Sequence, residues 1–401
     1  MSLATGFAGR DVKVIGLVSA GHFVSHFYIL ALPPLFPLLK DDFAVSYAAL
    51  GLLMTVFNVF SGLLQIPVGF LVDRLGPRNI LILGIVVEAI AFAAMGFWGL
   101  YPALLTGMAV AGVANSVYHP ADYAILTSKI GGGRMGRAFS VHTFAGFAGN
   151  AAAPVAMVML AALWDWRIAL VAAGVAGIAV AAALAWNGAV LDDARLAASA
   201  AAPQPARPRM RQDVGLLLSP PILMCFVFFV MLSMSSGGLN SFAVVALVAL
   251  YDTPLAMATA ALTTFLACSA LGILAGGIIA DRTARHERVA SVGFASTAVI
   301  IALIGTFAMP PLLIILALAA GGLLWGMIMP SRDMLVRAVT PPGASGKVFG
   351  FVSTGLNLGS AVTPVLFGWI MDVGDPRWLF WAAAAFMLLA LGTVFITRAA
   401  R

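Results

Sequence analysis

Long apolar stretches dominate the pattern of this 401-residue chain. Several hold no Asp, Glu, Lys or Arg, and they run over 14–39, 43–72, 138–164, 168–191 and 214–251. Each exceeds the about 20 residues that a helix needs to cross the hydrocarbon core of a membrane. Lipid offers a backbone no hydrogen-bond partner, so these stretches must be helical. Because the apolar runs are continuous rather than alternating, the pattern excludes a β-barrel.

The alternation of apolar stretches with polar or turn-forming residues predicts twelve transmembrane helices, called spans 1 to 12. They cover 13–39, 46–72, 79–98, 101–128, 137–163, 168–190, 219–250, 254–280, 288–309, 311–337, 347–371 and 377–397. The one long polar connection, 192–213, is rich in Ala, Pro and Arg, as expected of a flexible linker. The predicted fold class is an all-α membrane protein with two six-helix bundles, 1–191 and 214–401.

Composition and charge agree with this prediction. The chain is 62% hydrophobic and 9% charged, with a mean hydropathy of +1.03, whereas soluble proteins carry roughly 25% charged residues. The net charge of +6 does not indicate a nucleic-acid partner, because the cations are sorted by loop. With the N-terminus inside, the outer loops keep only Lys40, Arg167 and Arg377, and the other 19 of 22 Lys and Arg residues face the cytoplasm. This bias predicts a bacterial cytoplasmic (inner) membrane protein with both termini cytoplasmic.

One stretch of the chain occurs twice, at an offset of 210 residues. Segment 118–122 (YHPAD) corresponds to 328–332 (IMPSR), and downstream Asp165 and Arg167 recur as Asp375 and Arg377. The pattern predicts two pseudo-symmetric halves. The copies differ in chemistry, because His119 and Asp122 in the first correspond to Met329 and Arg332 in the second.

A second repeat follows spans 2 and 8, where GFLVDRLGPR at 69–78 corresponds to GIIADRTAR at 277–285, 208 residues further on. Glycines allow close helix packing, and Asp and Arg at a helix end can pair with a neighbouring helix terminus. We interpret the repeat as a conformational latch on the cytoplasmic face; the alternative is a plain helix cap in a basic loop. The candidate latch residues are Gly69, Asp73, Arg74, Arg78, Gly277, Asp281 and Arg282.

These two loop motifs, the twelve spans and the central linker together resemble the major facilitator superfamily of transporters. The resemblance covers essentially the whole chain and implies a substrate cavity lined by spans 1, 4, 7 and 10, opened on alternate sides by rocking of the two bundles. Segments 21–28 (GHFVSHFY), 115–123 (NSVYHPADY) and 131–154 are further similar to the fosmidomycin-resistance branch of efflux proteins.

Titratable side chains inside a bilayer cost about 2.5–3.5 kcal/mol each, so they persist where they face a cavity or a partner. His22 and His26 are four residues apart on one helical face, and His119 and Asp122 are three apart. A histidine next to a carboxylate is a natural proton carrier near neutral pH. The alternative is a structural histidine bound to a neighbouring helix, which is the favoured reading for His142.

Other polar residues in the spans carry weaker signals. Arg332 is either a counter-charge to Asp122 or an anchor for an anionic substrate, or else an interfacial cation whose stem lies in the membrane. Ser236 and Asn240 lie in a Gly-containing part of span 7 that could bend and bind a ligand, although Ser and Gly are also ordinary packing residues. Glu88 stands alone in span 3 and must find a polar partner.

The favoured function is a proton-coupled secondary transporter that exports a small drug-like or organic-anion molecule by alternating access. One alternative is a divalent transition-metal transporter that uses His22, His26, His119 and Asp122 as ligands; another is a metabolite uptake symporter. No nucleophile–base constellation indicates an enzyme, and no cofactor is predicted. The expected partners are the small-molecule substrate, protons and the lipid bilayer, with the protein a monomer.

Overall fold

The structure is a computed structural model that describes residues 9–130, 132–191, 215–283, 285–341 and 344–399. Every regular element in these ranges is a helix, including one short 3-10 turn at Pro33–Leu35. The α-helices of the first half are α1 (Gly9–Ile29), α2 (Phe36–Phe43), α3 (Tyr47–Leu75), α4 (Pro77–Trp98), α5 (Tyr101–Asn115), α6 (Tyr118–Lys129), α7 (Gly132–Leu163), α8 (Trp166–Trp186) and α9 (Gly188–Leu191). Those of the second half are α10 (Pro220–Tyr251), α11 (Leu255–Arg282), α12 (His286–Thr306), α13 (Pro311–Val339), α14 (Ser345–Val373) and α15 (Arg377–Ala399).

All twelve predicted spans correspond to helical segments, which confirms the predicted fold class, although span 1 is not one helix: α1 ends at Ile29, and the 3-10 turn at Pro33–Leu35 leads into α2. Within the described residues, 10 helical segments are long and apolar enough to cross a membrane. Two spans fall outside that count: span 12 is α15, of which only Arg377–Thr393 enters it, and span 4 is divided into α5 and α6.

The division of span 4 corrects the prediction of one continuous helix over 101–128. Helix α5 ends at Asn115 and α6 begins at Tyr118, and the Val117 N–H bonds to the Ala114 carbonyl three residues back. Pro120 contributes to the interruption, because it has no amide hydrogen for the Ser116 carbonyl and its ring crowds that carbonyl.

The repeated Asp–x–Arg sequence has a clear local role in both halves. Asp165 Oδ1 accepts a hydrogen bond from the Arg167 N–H at 2.6 Å, and Asp375 Oδ1 accepts one from the Arg377 N–H at 2.9 Å. Both carboxylates therefore satisfy an N–H group at a helix start and complement the positive end of the helix dipole.

Each half also repeats the same close helix crossing. A Cβ atom at Gly112 of α5 would collide with the Phe57 carbonyl oxygen of α3. At the equivalent place, a Cβ atom at Gly322 of α13 would collide with the Phe265 carbonyl oxygen of α11. Glycine at these positions is what allows the two backbones to touch, and its recurrence supports the predicted internal symmetry.

Contacts divide the chain into two compact units. Unit 1 consists of Met1–Leu35 and Val56–Pro205, and unit 2 consists of Phe36–Thr55 and Ala206–Arg401. The first turns of α3 thus pack within unit 2, although α3 belongs to the first half of the sequence. The predicted linker, 192–213, lies outside the described residues, so the sequence-based division at that linker stays a prediction.

Candidate functional site

The main candidate site lies in unit 1, where three helices bring five titratable side chains together. We call this group the histidine–aspartate cluster. Its members are His22 and His26 on α1, His119 and Asp122 on α6, and His142 on α7. Every member had been singled out in the sequence, but their convergence depends on the packing of α1, α6 and α7.

Asp122 is the buried acid of the cluster, with 0% of its surface exposed. Its Oδ2 atom lies 3.4 Å from His22 Nδ1 and 3.6 Å from His142 Nε2. No Lys or Arg pairs with it in the described part of the chain. An isolated carboxylate is costly in such a place, so the neighbouring imidazoles are the groups with which it can share a proton.

The His22 and His142 rings are stacked, with their centroids 3.8 Å apart and their planes inclined by 24°. Two positive charges at this separation would repel by about 4 kcal/mol at an effective dielectric constant of about 20. The stacked pair therefore accepts a single additional proton far more readily than two. A carboxylate that faces both rings completes an arrangement in which one proton can move between three groups.

His26 and His119 form the outer part of the cluster. The His22 ring centroid lies 4.5 Å from that of His26 and 5.3 Å from that of His119. His119 also stacks on Tyr123 at 5.8 Å, and Tyr123 is exposed. His26 and His119 are half-buried, whereas His22 and His142 are buried, so a path of imidazoles leads from the more accessible residues to Asp122.

Gly146 is a site residue that the sequence reading missed. A Cβ atom built on it would lie 2.8 Å from His22 Nε2 and 3.0 Å from His26 Cδ2. The missing side chain on α7 thus makes the space that the α1 histidines occupy. Its position four residues after His142, on the same helical face, was the only signal in the sequence.

The cluster also contains the donor atoms of a metal site. Ligand atoms of His22, Asp122 and His142 all lie within 4.8 Å of one another. The stacked rings fit an ion poorly, because each imidazole directs its lone pair in its own plane and two nearly parallel planes do not meet at one ion. One ring would have to rotate before both could bind the same metal.

The candidate residues of unit 2 have partners of their own. Arg332 Nε donates to Asp333 Oδ1 at 2.9 Å, its Nη2 atom lies 2.8 Å from the same oxygen, and its guanidinium carbon lies 4.8 Å from the centre of the Phe229 ring. The arginine is therefore held by the adjacent acid and by an aromatic face.

The helix of span 7 continues through its glycines. Helix α10 runs without interruption from Pro220 to Tyr251, and Gly238 packs closely against the Phe367 ring. The Ser236 hydroxyl donates to the Leu232 carbonyl of its own helix at 3.1 Å. Asn240 differs, since its Oδ1 atom is buried and has no hydrogen-bond partner within the described structure.

The candidate latch residues are placed at helix ends, as the repeat predicted. Arg78 Nη2 donates to the Ala185 carbonyl at the end of α8, at 3.4 Å. Arg74 and Arg282 are exposed, and Asp73 and Asp281 lie in the last turns of α3 and α11. Among the described residues, a Cβ atom on Gly69 or Gly277 would meet nothing within 4 Å, so the close packing predicted at these two glycines is not seen there.

Long apolar helices in two units, with titratable side chains buried among them, define a multi-pass membrane carrier rather than an enzyme. Comparison with known families agrees: the chain belongs to the Major Facilitator Superfamily, whose model matches residues 18–254 and 228–401. The resemblance drawn from the loop motifs is thereby confirmed, and the protein is a transporter.

Curated relatives include a drug-resistance protein and a probable transporter of an organic anion. The chain is 24% identical to the fosmidomycin resistance protein of Escherichia coli (strain K12) over 400 residues, which is 98% of this chain and 95% of that protein. It is 25% identical to the probable sulfoacetate transporter SauU of Cupriavidus necator over 162 residues, covering 40% of this chain and 37% of that one.

A solved structure has the same fold. It is the bacterial homolog of the human lysosomal transporter Spinster in an inward-facing, unoccupied conformation, which matches with a TM-score of 0.77 at 15% sequence identity and covers 98% of both chains.

Proposed function

We propose that this protein is a proton-coupled secondary transporter that exports a small drug-like or organic-anion substrate by alternating access. The observation that carries the proposal is Asp122, fully buried in a membrane span and flanked by His22 and His142 at 3.4 and 3.6 Å. A buried acid with two imidazole neighbours and no cationic partner in the described residues is suited to taking up and releasing protons.

Coupling follows from the cost of charge inside the bilayer. Without a proton, the Asp122 carboxylate places a net negative charge among apolar side chains, and this state is tolerated when water reaches the site. A proton shared with His22 or His142 removes the net charge and so favours closure of the site around it. Proton entry from outside and substrate exit from the cytoplasm are then alternate uses of one pathway.

The test is substrate-driven proton movement in everted membrane vesicles, read with a pH-sensitive dye. Fosmidomycin and sulfoacetate are the first compounds to add, since the names of two relatives carry them. We expect the wild-type protein to dissipate an imposed proton gradient on addition of a substrate, and Asp122→Asn to abolish that response.

The matched control is Asp252→Asn, which removes a carboxylate from an exposed position in unit 2. Asp252 has a positive φ of 49°, a backbone conformation that asparagine also tolerates. This variant should keep the wild-type response. Full coupling in Asp122→Asn, at equal amounts of protein in the membrane, would refute the role assigned to Asp122.

Transport of a divalent transition metal is the second candidate, favoured by the three donor atoms within 4.8 Å. Calorimetry on purified protein with Zn²⁺, Co²⁺ and Mn²⁺ tests it directly. Heat at micromolar ion, lost in His142→Ala, would move the assignment to metal transport. Because the two rings are stacked, we expect no such heat.

The remaining features are proposals of the same kind. The loop charges support a bacterial inner-membrane location with both termini in the cytoplasm. We assign the conformational latch to the repeated Asp–Arg segments after α3 and α11, and we assign Arg332 and Asn240 to the substrate-facing part of unit 2. Uptake of a substrate together with protons would use the same proton site, with substrate transport in the opposite direction.

A further inference from the structure

A second polar network lies in unit 1, outside the histidine–aspartate cluster, and Asn115 is its centre. Asn115 Nδ2 donates to Ser25 Oγ at 2.9 Å and to Glu88 Oε1 at 3.2 Å. Asn115 Oδ1 accepts a hydrogen bond from Ser61 Oγ at 3.2 Å. One amide thus connects spans 1, 2, 3 and 4, and it supplies the polar partner that the sequence required for Glu88.

Glu88 is a fully buried acid, with 0% of its surface exposed. Its Oε2 atom meets no hydrogen-bond donor among the described residues, and within the same residues no Lys or Arg pairs with it. The partners of Glu88, the amide of Asn115 and the phenol of Tyr118, are both neutral, and neutral donors alone compensate a carboxylate poorly in a membrane span. A protonated carboxyl group avoids most of this cost.

The titratable groups that face Glu88 do not supply a positive charge. They are the phenols of Tyr28 on α1 and Tyr118 on α6. Helix α5 contributes the neutral Asn115, and α8 carries its single ionisable side chain, Arg167, in the first turn beside Gly99. The buried hydroxyl of Tyr118 interacts with the Glu88 carboxyl group, and a phenol can accept a hydrogen bond from a protonated acid as well as donate one to a carboxylate.

The network also coincides with the interruption of span 4. Asn115 is the last residue of α5, and Tyr118 is the first residue of α6. Tyr118 and Asp122 are four residues apart and share a face of α6. Helix α6 therefore runs from the surroundings of Glu88 to the buried acid of the cluster.

Comparison of the two halves separates the effect of the network from that of the proline. Pro330 is the equivalent of Pro120, yet α13 continues through it. Trp325 replaces Asn115 at this offset, and Thr297 replaces Glu88, because Gly84 and Gly96 of α4 correspond to Gly293 and Gly305 of α12. The interruption thus occurs in the half that has both the proline and the network.

We propose that Glu88 is a second proton-binding site of this protein, and that Asn115 links its protonation to the position of α6. The binding of a proton at Glu88 follows from the surroundings of Glu88 alone. The effect of this link on transport rests on the proposed function, because α6 carries His119 and Asp122 of the histidine–aspartate cluster.

The test uses the rarity of glutamate, since Glu287 is the only other one in the chain. Protein labelled with ¹³C at the glutamate side-chain carboxyl group gives two NMR signals, and Glu287→Gln, in the loop-side first turn of α12, leaves the Glu88 signal alone. We expect the Glu88 signal of purified protein at neutral pH to have the shift of a protonated acid. An ionised carboxylate shift there would overturn the proposal.

The link to α6 is read from the ring resonances of ¹⁵N-labelled histidines in the same preparations. Asn115→Ala should move the His119 and His142 resonances, whereas the control Asn187→Ala, at an exposed amide after α8, should not. Asn115→Asp keeps the shape and loses the Nδ2 donor, so it serves where the alanine variant does not fold. Unchanged His119 and His142 resonances in a folded Asn115 variant would overturn the link.

Neither measurement requires a substrate, so its outcome is independent of the vesicle assay. Asp122→Asn should leave the Glu88 signal at its protonated shift. If Asp122→Asn keeps full coupling while Glu88 remains protonated, the role proposed for Asp122 is wrong and the second site stands. If Asp122→Asn abolishes coupling and the Glu88 signal is that of an ionised carboxylate, the second proton site is wrong and the proposed function stands.

Discussion

At the scale of the residue, the buried Asp122 carboxyl has its nearest imidazole neighbours, His22 and His142, on two other helices. The i, i+3 spacing of His119 and Asp122 suggested that these two form the working pair. Instead, the imidazoles within 4 Å of the Asp122 carboxyl come from α1 and α7. Spacing along one helix fixes which side chains share a face, but distances between helices depend on packing that a single sequence does not contain.

Gly146 gives a prediction at this scale. Gly146→Ala places a methyl group 2.8 Å from His22 Nε2, so the ring must move away from its position beside Asp122. We expect substrate-driven proton movement to fall by about tenfold or more, because small displacements of reacting groups have large effects. The measurement is the vesicle assay at equal expression.

Gly16→Ala is the control for this variant, because it adds the same methyl group to α1 at a position with nothing within 4 Å. It should couple like the wild type. Unchanged coupling in Gly146→Ala would show that the precise place of His22 does not matter for proton transfer.

At the scale of the element, the start of α3 is held by a residue far away in the sequence. The Asp372 carboxylate accepts hydrogen bonds from the Tyr47 N–H at 2.7 Å and the Ala48 N–H at 2.8 Å, and Lys40 Nζ lies 3.6 Å from its Oδ1 atom. Thr55 Oγ1 donates to the Ala361 carbonyl at 2.7 Å further along the same crossing. All these residues belong to unit 2.

Loss of this cap should be measurable as loss of stability. Asp372→Ala leaves two N–H groups at a helix start without their acceptor, which costs about 1–2 kcal/mol. We expect a lower midpoint of thermal unfolding in detergent, with Asp372→Asn intermediate because it keeps one oxygen. Asp252→Asn again serves as the control, and equal midpoints for all four proteins would contradict the capping role.

Local sequence rules could not have found this cap. The usual signal is a Ser, Thr, Asp or Asn directly before the helix. Ser46 occupies that position, but nothing near it in the sequence indicates that Asp372 also binds the start of α3. The interruption of span 4 was missed for a related reason: Pro120 was visible, but prolines also lie within α3, α7, α13 and α14 without ending them.

At the scale of the whole molecule, sequence reasoning was most successful. Apolar length and turn-forming residues predicted twelve spans, and the duplication predicted two related halves, which agrees with equivalent contacts such as Gly112 against Phe57 and Gly322 against Phe265. These inferences succeed because the bilayer imposes one length scale and one type of secondary structure on every span. The identity of the substrate is not constrained by the bilayer in this way, so it gives no simple pattern in the sequence.

The orientation of the chain in the membrane can be tested with reporter proteins. A green fluorescent protein fused to the C-terminus should fluoresce, because both termini are expected in the cytoplasm, and alkaline phosphatase inserted after Asp252 should be active outside. The reverse pattern of reporter activities would contradict the assignment made from the loop charges.

The interruption of span 4 has a consequence for isotope exchange. Backbone amides in membrane helices normally keep their hydrogens for long periods, since each is bound within its helix and shielded from solvent. The Val117 amide departs from that regular pattern, because it bonds to the carbonyl three residues back, whereas the corresponding segment lies inside the uninterrupted helix α13. Deuterium should therefore enter the first half near the middle of its fourth span and leave the sister segment largely unlabelled.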